Sequence, residues 1–201
     1  MKNPFIWFEE NNLEKDFCDH CISKFESDHN KYNGVVGTGT YNPNIKQSTD
    51  LVISILDDWK KEDNVFYESI HKSYDKYQQY INSSLPTNNS FFVEIMKTEF
   101  IGDTGYQIQR TAPSEFYSWH SDAISNQSQV RTVTFIWYLN TIDKLGYTEF
   151  WDGTKIKPEQ GKLLIFPATW NFIHRGVSPK SQNKYICTGW LHYSLNSSMG
   201  K

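Results

Sequence analysis

His120-Ser121-Asp122 sets an imidazole and a carboxylate two residues apart. In an extended segment such residues face the same side, so both can converge on one cation. The flanking Trp119 and the strand-like run Tyr106 to Arg110 put the pair at a strand end. His174 stands inside a second strand-like run, Trp170-Asn171-Phe172-Ile173-His174-Arg175-Gly176-Val177. A lone histidine of this kind is better explained by a backbone carbonyl partner. Joined to His120 and Asp122, it completes a 2-His-1-carboxylate set. Such a set leaves positions open on Fe(II) for a bidentate co-substrate and O₂. Lys184 and His174 flank the turn-rich stretch Ser178-Pro179-Lys180-Ser181-Gln182-Asn183. If that stretch closes a hairpin, the two side chains face one cavity across an antiparallel pair, Cβ atoms about 5 Å apart. A dicarboxylate chelating the metal would then reach the ammonium with its far end, as a charge-assisted hydrogen bond.

The elements that must position these groups fall into two textures. Leu13, Phe17, Cys21 and Phe25 recur every four residues, as do Phe66, Ile70, Tyr74, Tyr77 and Ile81 with small shifts, so two amphipathic helices are expected. Leu85-Pro86 and the following Thr-Asn-Asn-Ser stop the second. After residue 90, seven short β-branched or aromatic runs are bounded by Gly, Pro, Asn, Asp or Ser. They are Phe91 to Phe100, Tyr106 to Arg110, Val130 to Leu139, Gly146 to Trp151, Lys162 to Phe166, Phe172 to Val177 and Tyr185 to Tyr193. Closely spaced strands of this kind indicate an all-β sandwich, barrel or jelly roll rather than βαβ units. The expected architecture is one domain over residues 1–201. A helical part over about 1–90 packs on a β core over about 91–195.

Composition narrows the class. A chain of 201 residues with 38% hydrophobic and 16% aromatic content can bury a full core and is not a disordered polypeptide. Its formal net charge of −3 gives no global attraction to nucleic acid or anionic lipid. No apolar run reaches the roughly 18 residues of a membrane helix, and Met1 to Glu10 does not read as a secretory signal. Three cysteines fit a reducing compartment, so a cytoplasmic location is expected.

Order, spacing and residue types over some 90 residues resemble the Fe(II)- and 2-oxoglutarate-dependent oxygenases, and within them the prolyl 4-hydroxylase-like group. The matching stretches run from Tyr117-Ser118-Trp119-His120-Ser121-Asp122 through Arg131 to Asn140 and Gly146-Tyr147-Thr148-Glu149-Phe150. They continue with Gly161 to Pro167, His174-Arg175-Gly176-Val177 and Lys184 to Trp190. The resemblance implies a double-stranded β-helix (jelly roll) with helices buttressing one sheet. It assigns iron to His120, Asp122 and His174, and the C5 carboxylate of 2-oxoglutarate to Lys184 and Tyr138. It places Thr188 and Trp190 in the pocket lining, Thr188 toward the co-substrate and Trp190 toward the substrate. It also implies conversion of 2-oxoglutarate to succinate and CO₂ as a substrate carbon is hydroxylated, with ascorbate as an accessory reductant. The substrate would be a prolyl or other residue of a peptide or protein, or a free amino acid. Trp119, beside the first ligand, is the expected additional substrate contact.

Three positions depart from the group. Thr111 and Arg110 stand where relatives carry a tyrosine, Leu145-Gly146 replaces a glycine pair, and Lys184 replaces an arginine of some relatives. Other readings remain in play from the residues alone: a non-catalytic metal-binding jelly roll, a nucleic-acid demethylase of the same fold, or a zinc hydrolase on the same ligands. Demethylases of this fold carry a second arginine shortly after the position of Lys184, where this chain runs Tyr-Ile-Cys-Thr-Gly-Trp. The hydrolase leaves Lys184 without a task. Cys18-Asp19-His20-Cys21 is ordinary helix packing, and Gly34-Val35-Val36-Gly37-Thr38-Gly39 reads as a loop over the site rather than a phosphate loop. Oligomeric state is left open.

Overall fold

The computed structural model describes residues 3–37, 39–84, 102–124 and 129–194. Two antiparallel sheets face one another as a double-stranded β-helix. The larger contains β1 (Trp7–Glu9), β2 (Tyr32–Asn33), β3 (Thr49–Val52), β4 (Gly102–Asp103), β5 (Gln107–Thr111), β7 (Gln129–Tyr138), β10 (Leu163–Pro167) and β12 (Lys184–Ser194). Its order is β1-β10-β7-β12-β5-β3-β2, with β4 also on β12. The smaller sheet has the order β6-β11-β8-β9, made by β6 (Tyr117–His120), β11 (His174–Gly176), β8 (Thr148–Phe150) and β9 (Lys155–Ile156).

The central strands read as continuous apolar runs because both their faces are buried. Along β7, Phe135 and Trp137 point one way while Thr134, Ile136 and Tyr138 point the other. The first set packs under α1 (Lys15–Ser27) and α2 (Lys60–Ser84), against Cys18, Cys21, Phe25, Phe66, Ile70 and Tyr77. The second set faces the small sheet, where Ile136 and Tyr138 join Phe150, Leu164, Phe166 and Phe172 in a separate cluster. No side chain caps the start of α1. Its position is set by packing, at about 1.5–3 kcal/mol for each large apolar side chain fully buried. Gly161 (φ 79°) turns the chain into β10, and its carbonyl accepts Asn12 N–H and Leu13 N–H. A Cβ there would lie 2.3 Å from Leu13 O, so only glycine allows this approach.

Two expectations change. The N-terminal part is not only helical: β1, β2 and β3 belong to the large sheet. Strands of 2–4 residues are too short to show an alternating pattern. His174 and Lys184 are not hairpin partners either. β11 pairs with β6 and β8 in the small sheet, whereas β12 pairs with β5 and β7 in the large one. The chain between them crosses from one sheet to the other, tied by a Leu145–Pro179 bridge. The expected strand Phe91 to Phe100 and the stop at Leu85-Pro86 lie outside the described residues.

Candidate metal centre and co-substrate pocket

A cavity of about 520 Å³ opens between the sheets, and His120, Asp122 and His174 lie on its wall. His120 on β6 sits directly opposite His174 on β11. β6 carries one extra residue here, so Ser118 and Trp119 together face Arg175. This bulge lets Tyr117 and His120 both turn inward. One donor atom from each of His120, Asp122 and His174 lies within 4.8 Å of the others, the one such cluster among the described residues. His120 Nε2 is 3.8 Å from Asp122 Oδ1, and His174 Nε2 is 3.6 Å from Asp122 Oδ2.

Each ligand is held from behind. His120 Nδ1 lies 2.8 Å from Ser118 O, and His174 Nδ1 lies 3.0 Å from Phe172 O. A backbone acceptor at Nδ1 selects the tautomer that leaves Nε2 with a lone pair toward the cavity. Thr134 on β7 donates its hydroxyl to Asp122 Oδ2 at 2.8 Å, pinning the carboxylate to the opposite sheet. Burial lowers the His120 pKa to about 4, with the neighbouring His174 adding to the effect. The ring is therefore neutral, and able to ligate, at pH 7. Burial alone would push the Asp122 carboxyl up, but His174, His120 and the Thr134 hydroxyl outweigh it and hold the group ionised. Two imidazoles and one carboxylate suit Fe(II), and three protein ligands leave coordination positions for co-substrate and O₂.

Across the cavity, Lys184 on β12 is 4% exposed, and its Nζ donates to Gly146 O at 3.2 Å. Among the described residues no carboxylate pairs with it. Burial accordingly depresses its pKa to about 8. A buried ammonium facing a metal cluster without a counter-charge fits one end of a chelating dicarboxylate.

The remaining expected residues fall in different places. Thr188 and Trp190 line the cavity. The Thr188 hydroxyl donates to Phe135 O at 2.8 Å, and Arg131 Cζ stacks 3.5 Å from the Trp190 ring. Tyr138 is buried behind the wall, donating to Thr148 Oγ1 at 2.6 Å, and Thr148 is the residue that lines the cavity. Trp119 is 36% exposed and does not line the cavity. It packs edge-on against Trp151 and beneath Arg175, because the bulge turns it outward. Cys18 and Cys21 are buried on α1, apart from the metal cluster. Thr134 and Thr148 were missed as site residues. Both lay in the quoted β7 and β8 segments, but a threonine in a strand carries no signal of what its hydroxyl touches.

A 2-His-1-carboxylate cluster open to a cavity inside a double-stranded β-helix is the ligand arrangement used by non-haem Fe(II) oxygenases. Residues 106–192 match the family model of the 2OG-Fe(II) oxygenase superfamily, a stretch that holds the triad and Lys184. The matched stretch has the sequence pattern of a 2OG-Fe(II) oxygenase domain. No curated protein matches the sequence. Several solved structures share the fold. The chain is similar to the viral collagen prolyl hydroxylase of Paramecium bursaria Chlorella virus 1, solved as a 2OG complex. Identity there is 18% with a TM-score of 0.63, covering 94% of this chain and 96% of that one. It is also similar to a prolyl hydroxylase from Trichoplax adhaerens in complex with a hypoxia inducible factor peptide. That match has 17% identity and a TM-score of 0.71, over 94% and 84% of the two chains. A Pseudomonas putida prolyl-4-hydroxylase matches at 16% identity and TM-score 0.60, over 93% and 92%.

Proposed function

We propose that the protein hydroxylates a prolyl or other residue of a peptide or protein. The observation that carries the co-substrate half is Lys184, a buried cation on the same cavity as the metal cluster, with no counter-charge among the described residues. His120, Asp122 and His174 would hold Fe(II), and Lys184, supported by Tyr138 through Thr148, would take the far carboxylate of 2-oxoglutarate. Iron and 2-oxoglutarate together supply oxidation of a C–H bond by O₂, with succinate and CO₂ as co-products. The chain's own contribution is to fix three ligands, orient the co-substrate and enclose it between the two sheets.

A peptide substrate is supported by the mouth of the cavity. The Arg131 guanidinium lies over Trp190, its Cζ 3.5 Å from the ring centroid, and its planar fork of N–H donors suits a peptide carbonyl. The prolyl hydroxylase neighbours, one of them bound to a peptide, agree with this reading. Three buried free cysteines agree with a reducing, cytoplasmic setting.

The deciding experiment adds Fe(II) and then 2-oxoglutarate anaerobically and records visible absorption, with Asp122→Ala as control. A charge-transfer band that needs both additions and is lost in the variant is expected, followed by succinate release stimulated by proline-containing peptides. A band without any peptide-stimulated turnover would overturn the substrate assignment while leaving the iron site standing.

A further inference from the structure

His120 and His174 are supported differently. The His174 ring is packed inside the protein, 4.8 Å from the Phe166 ring and 5.7 Å from the Phe150 ring. His120 sits at the bulged end of β6, where the strand is one residue out of register. Its Nδ1 contact to Ser118 fixes the tautomer through one atom of the ring. The second restraint comes from a segment that the oxygenase reading does not use. Residues 45–47 run beside β6: Ser118 N–H donates to Ile45 O, and Gln47 N–H donates to Phe116 O, both at 2.8 Å. Lys46, between them, is 4% exposed and pairs at 2.6 Å with Asp50 Oδ2 on β3, which is fully buried. Ser48 donates to the other Asp50 oxygen at 2.7 Å. The Lys46 ammonium stands 5.3 Å from the centre of the Tyr117 ring. Tyr117 in turn lies on His120, centroids 3.5 Å apart and planes within 11°.

We propose that Lys46 is a positioning residue for the first metal ligand, clamping Tyr117 flat on His120 so that the imidazole keeps its aim. This rests on the reading of His120, Asp122 and His174 as the metal ligands. A buried ion pair is weak support for stability, because desolvating two charges offsets their attraction. An apolar pair would fill the same space without that cost. What only the ion pair supplies is a cation fixed over the Tyr117 face, attracted to the ring's negative quadrupole. Gly34 makes the clamp possible. A Cβ at that position would fall 2.2 Å from Ser48 Oγ, 3.0 Å from Lys46 Cε and 3.1 Å from Asp50 Oδ2. The clamp also joins the sheets, since Lys46 runs along the small one and Asp50 belongs to the large one.

The test is metal binding by the metal-free full chain, titrated with Co(II) and followed by calorimetry and the visible Co(II) spectrum. Lys46→Met/Asp50→Leu removes both charges without stranding either. It should bind Co(II) about tenfold more weakly and shift the spectrum, the lower end of what groups behind a metal ligand are worth. Lys46→Arg, which keeps a cation on the ring, should stay within about threefold of wild type. Tyr117→Leu removes the plate alone and should reproduce the double variant's loss. Wild-type affinity and spectrum in Tyr117→Leu, or in a folded double variant, would overturn the proposal. Should the wild-type chain bind no Co(II), or Asp122→Ala bind it equally well, the ligand assignment itself is wrong and the clamp falls with it.

Discussion

The two ends of the cavity are built on opposite principles. At the metal end every ligand already has a protein partner: backbone carbonyls behind both histidines, and the Thr134 hydroxyl on Asp122. At the far end Lys184 is buried with one carbonyl and, among the described residues, no counter-charge. The first end is pre-assembled; the second is incomplete until an anion arrives. The contrast separates what the fold can stabilise by itself from what it leaves for the co-substrate. It also predicts that damage at the two ends will look different.

The largest effect belongs to Asp122→Ala. It leaves two imidazoles and no anion, so metal affinity should fall beyond the roughly 10–100-fold attached to groups behind a ligand, and turnover should drop to background. A variant with measurable succinate formation would break the picture of a pre-assembled end. Lys184→Met should do the reverse of an ordinary active-site lesion. The KM for 2-oxoglutarate should rise about 100-fold, since loss of one partner of a buried charge pair costs about 2–5 kcal/mol. The ligand-free protein should become more stable. A lysine whose pKa falls from 10.5 to about 8 on folding destabilises the fold at neutral pH by about 3 kcal/mol. Thermal unfolding of the two metal-free proteins at pH 7 checks this, and a Tm in the variant at or below wild type would contradict it.

The same group sets a pH dependence. The folded pKa lies below the unfolded one, so between about pH 8 and 10.5 the unfolded chain holds a proton that the folded chain has lost. Stability of the ligand-free protein should therefore rise across that window, opposite to base denaturation. Affinity for 2-oxoglutarate should move the other way, weakening about tenfold per pH unit above 8, because the neutral amine no longer offers a charge. Calorimetric titration of the Mn(II)-loaded protein with 2-oxoglutarate across pH 7–9.5 tests the second half. Lys184→Met should flatten both trends.

The metal end was the more legible in sequence. His120 and Asp122 are two residues apart on an extended segment, and His174 closes the set, so residue type and spacing carry the chemistry. The β core from Tyr106 onward was legible because its strands are long enough to show apolar runs. Lys184 was placed in the pocket from a hairpin that does not exist. It reaches the cavity across the gap between sheets, and nothing in local sequence distinguishes that route from a two-strand turn. The bulge in β6 was invisible for a related reason. Its register is set by pairing with β11 more than fifty residues later, and the one extra residue is what turns Trp119 out of the cavity. Thr134 shows a third kind of loss. Its hydroxyl matters only because Asp122 hangs over it from the opposite sheet. Thr134→Val keeps the shape and deletes the hydrogen bond, so metal affinity should weaken about tenfold with little change in the 2-oxoglutarate KM.

The smallest effect discriminates most finely at the incomplete end. The resemblance gives Tyr138 a direct bond to the co-substrate, whereas its hydroxyl here is spent on Thr148 Oγ1 at 2.6 Å. Thr148, not Tyr138, lines the cavity. Burial pushes the phenol's pKa up, so Tyr138 acts as a donor, and the Thr148 hydroxyl is left to donate in turn toward the cavity. Tyr138→Phe then removes only the outer member of a relay, worth about 1 kcal/mol, and the KM for 2-oxoglutarate should rise about threefold to fivefold. Thr148→Val removes the inner member and strands the buried Tyr138 hydroxyl, so its KM effect should be the larger of the two. The double variant should be no worse than Thr148→Val alone, since the two hydroxyls act in series. Equal and additive losses would instead mean that both hydroxyls reach the co-substrate independently, and the far end would then hold three separate contacts rather than one lysine and one relay.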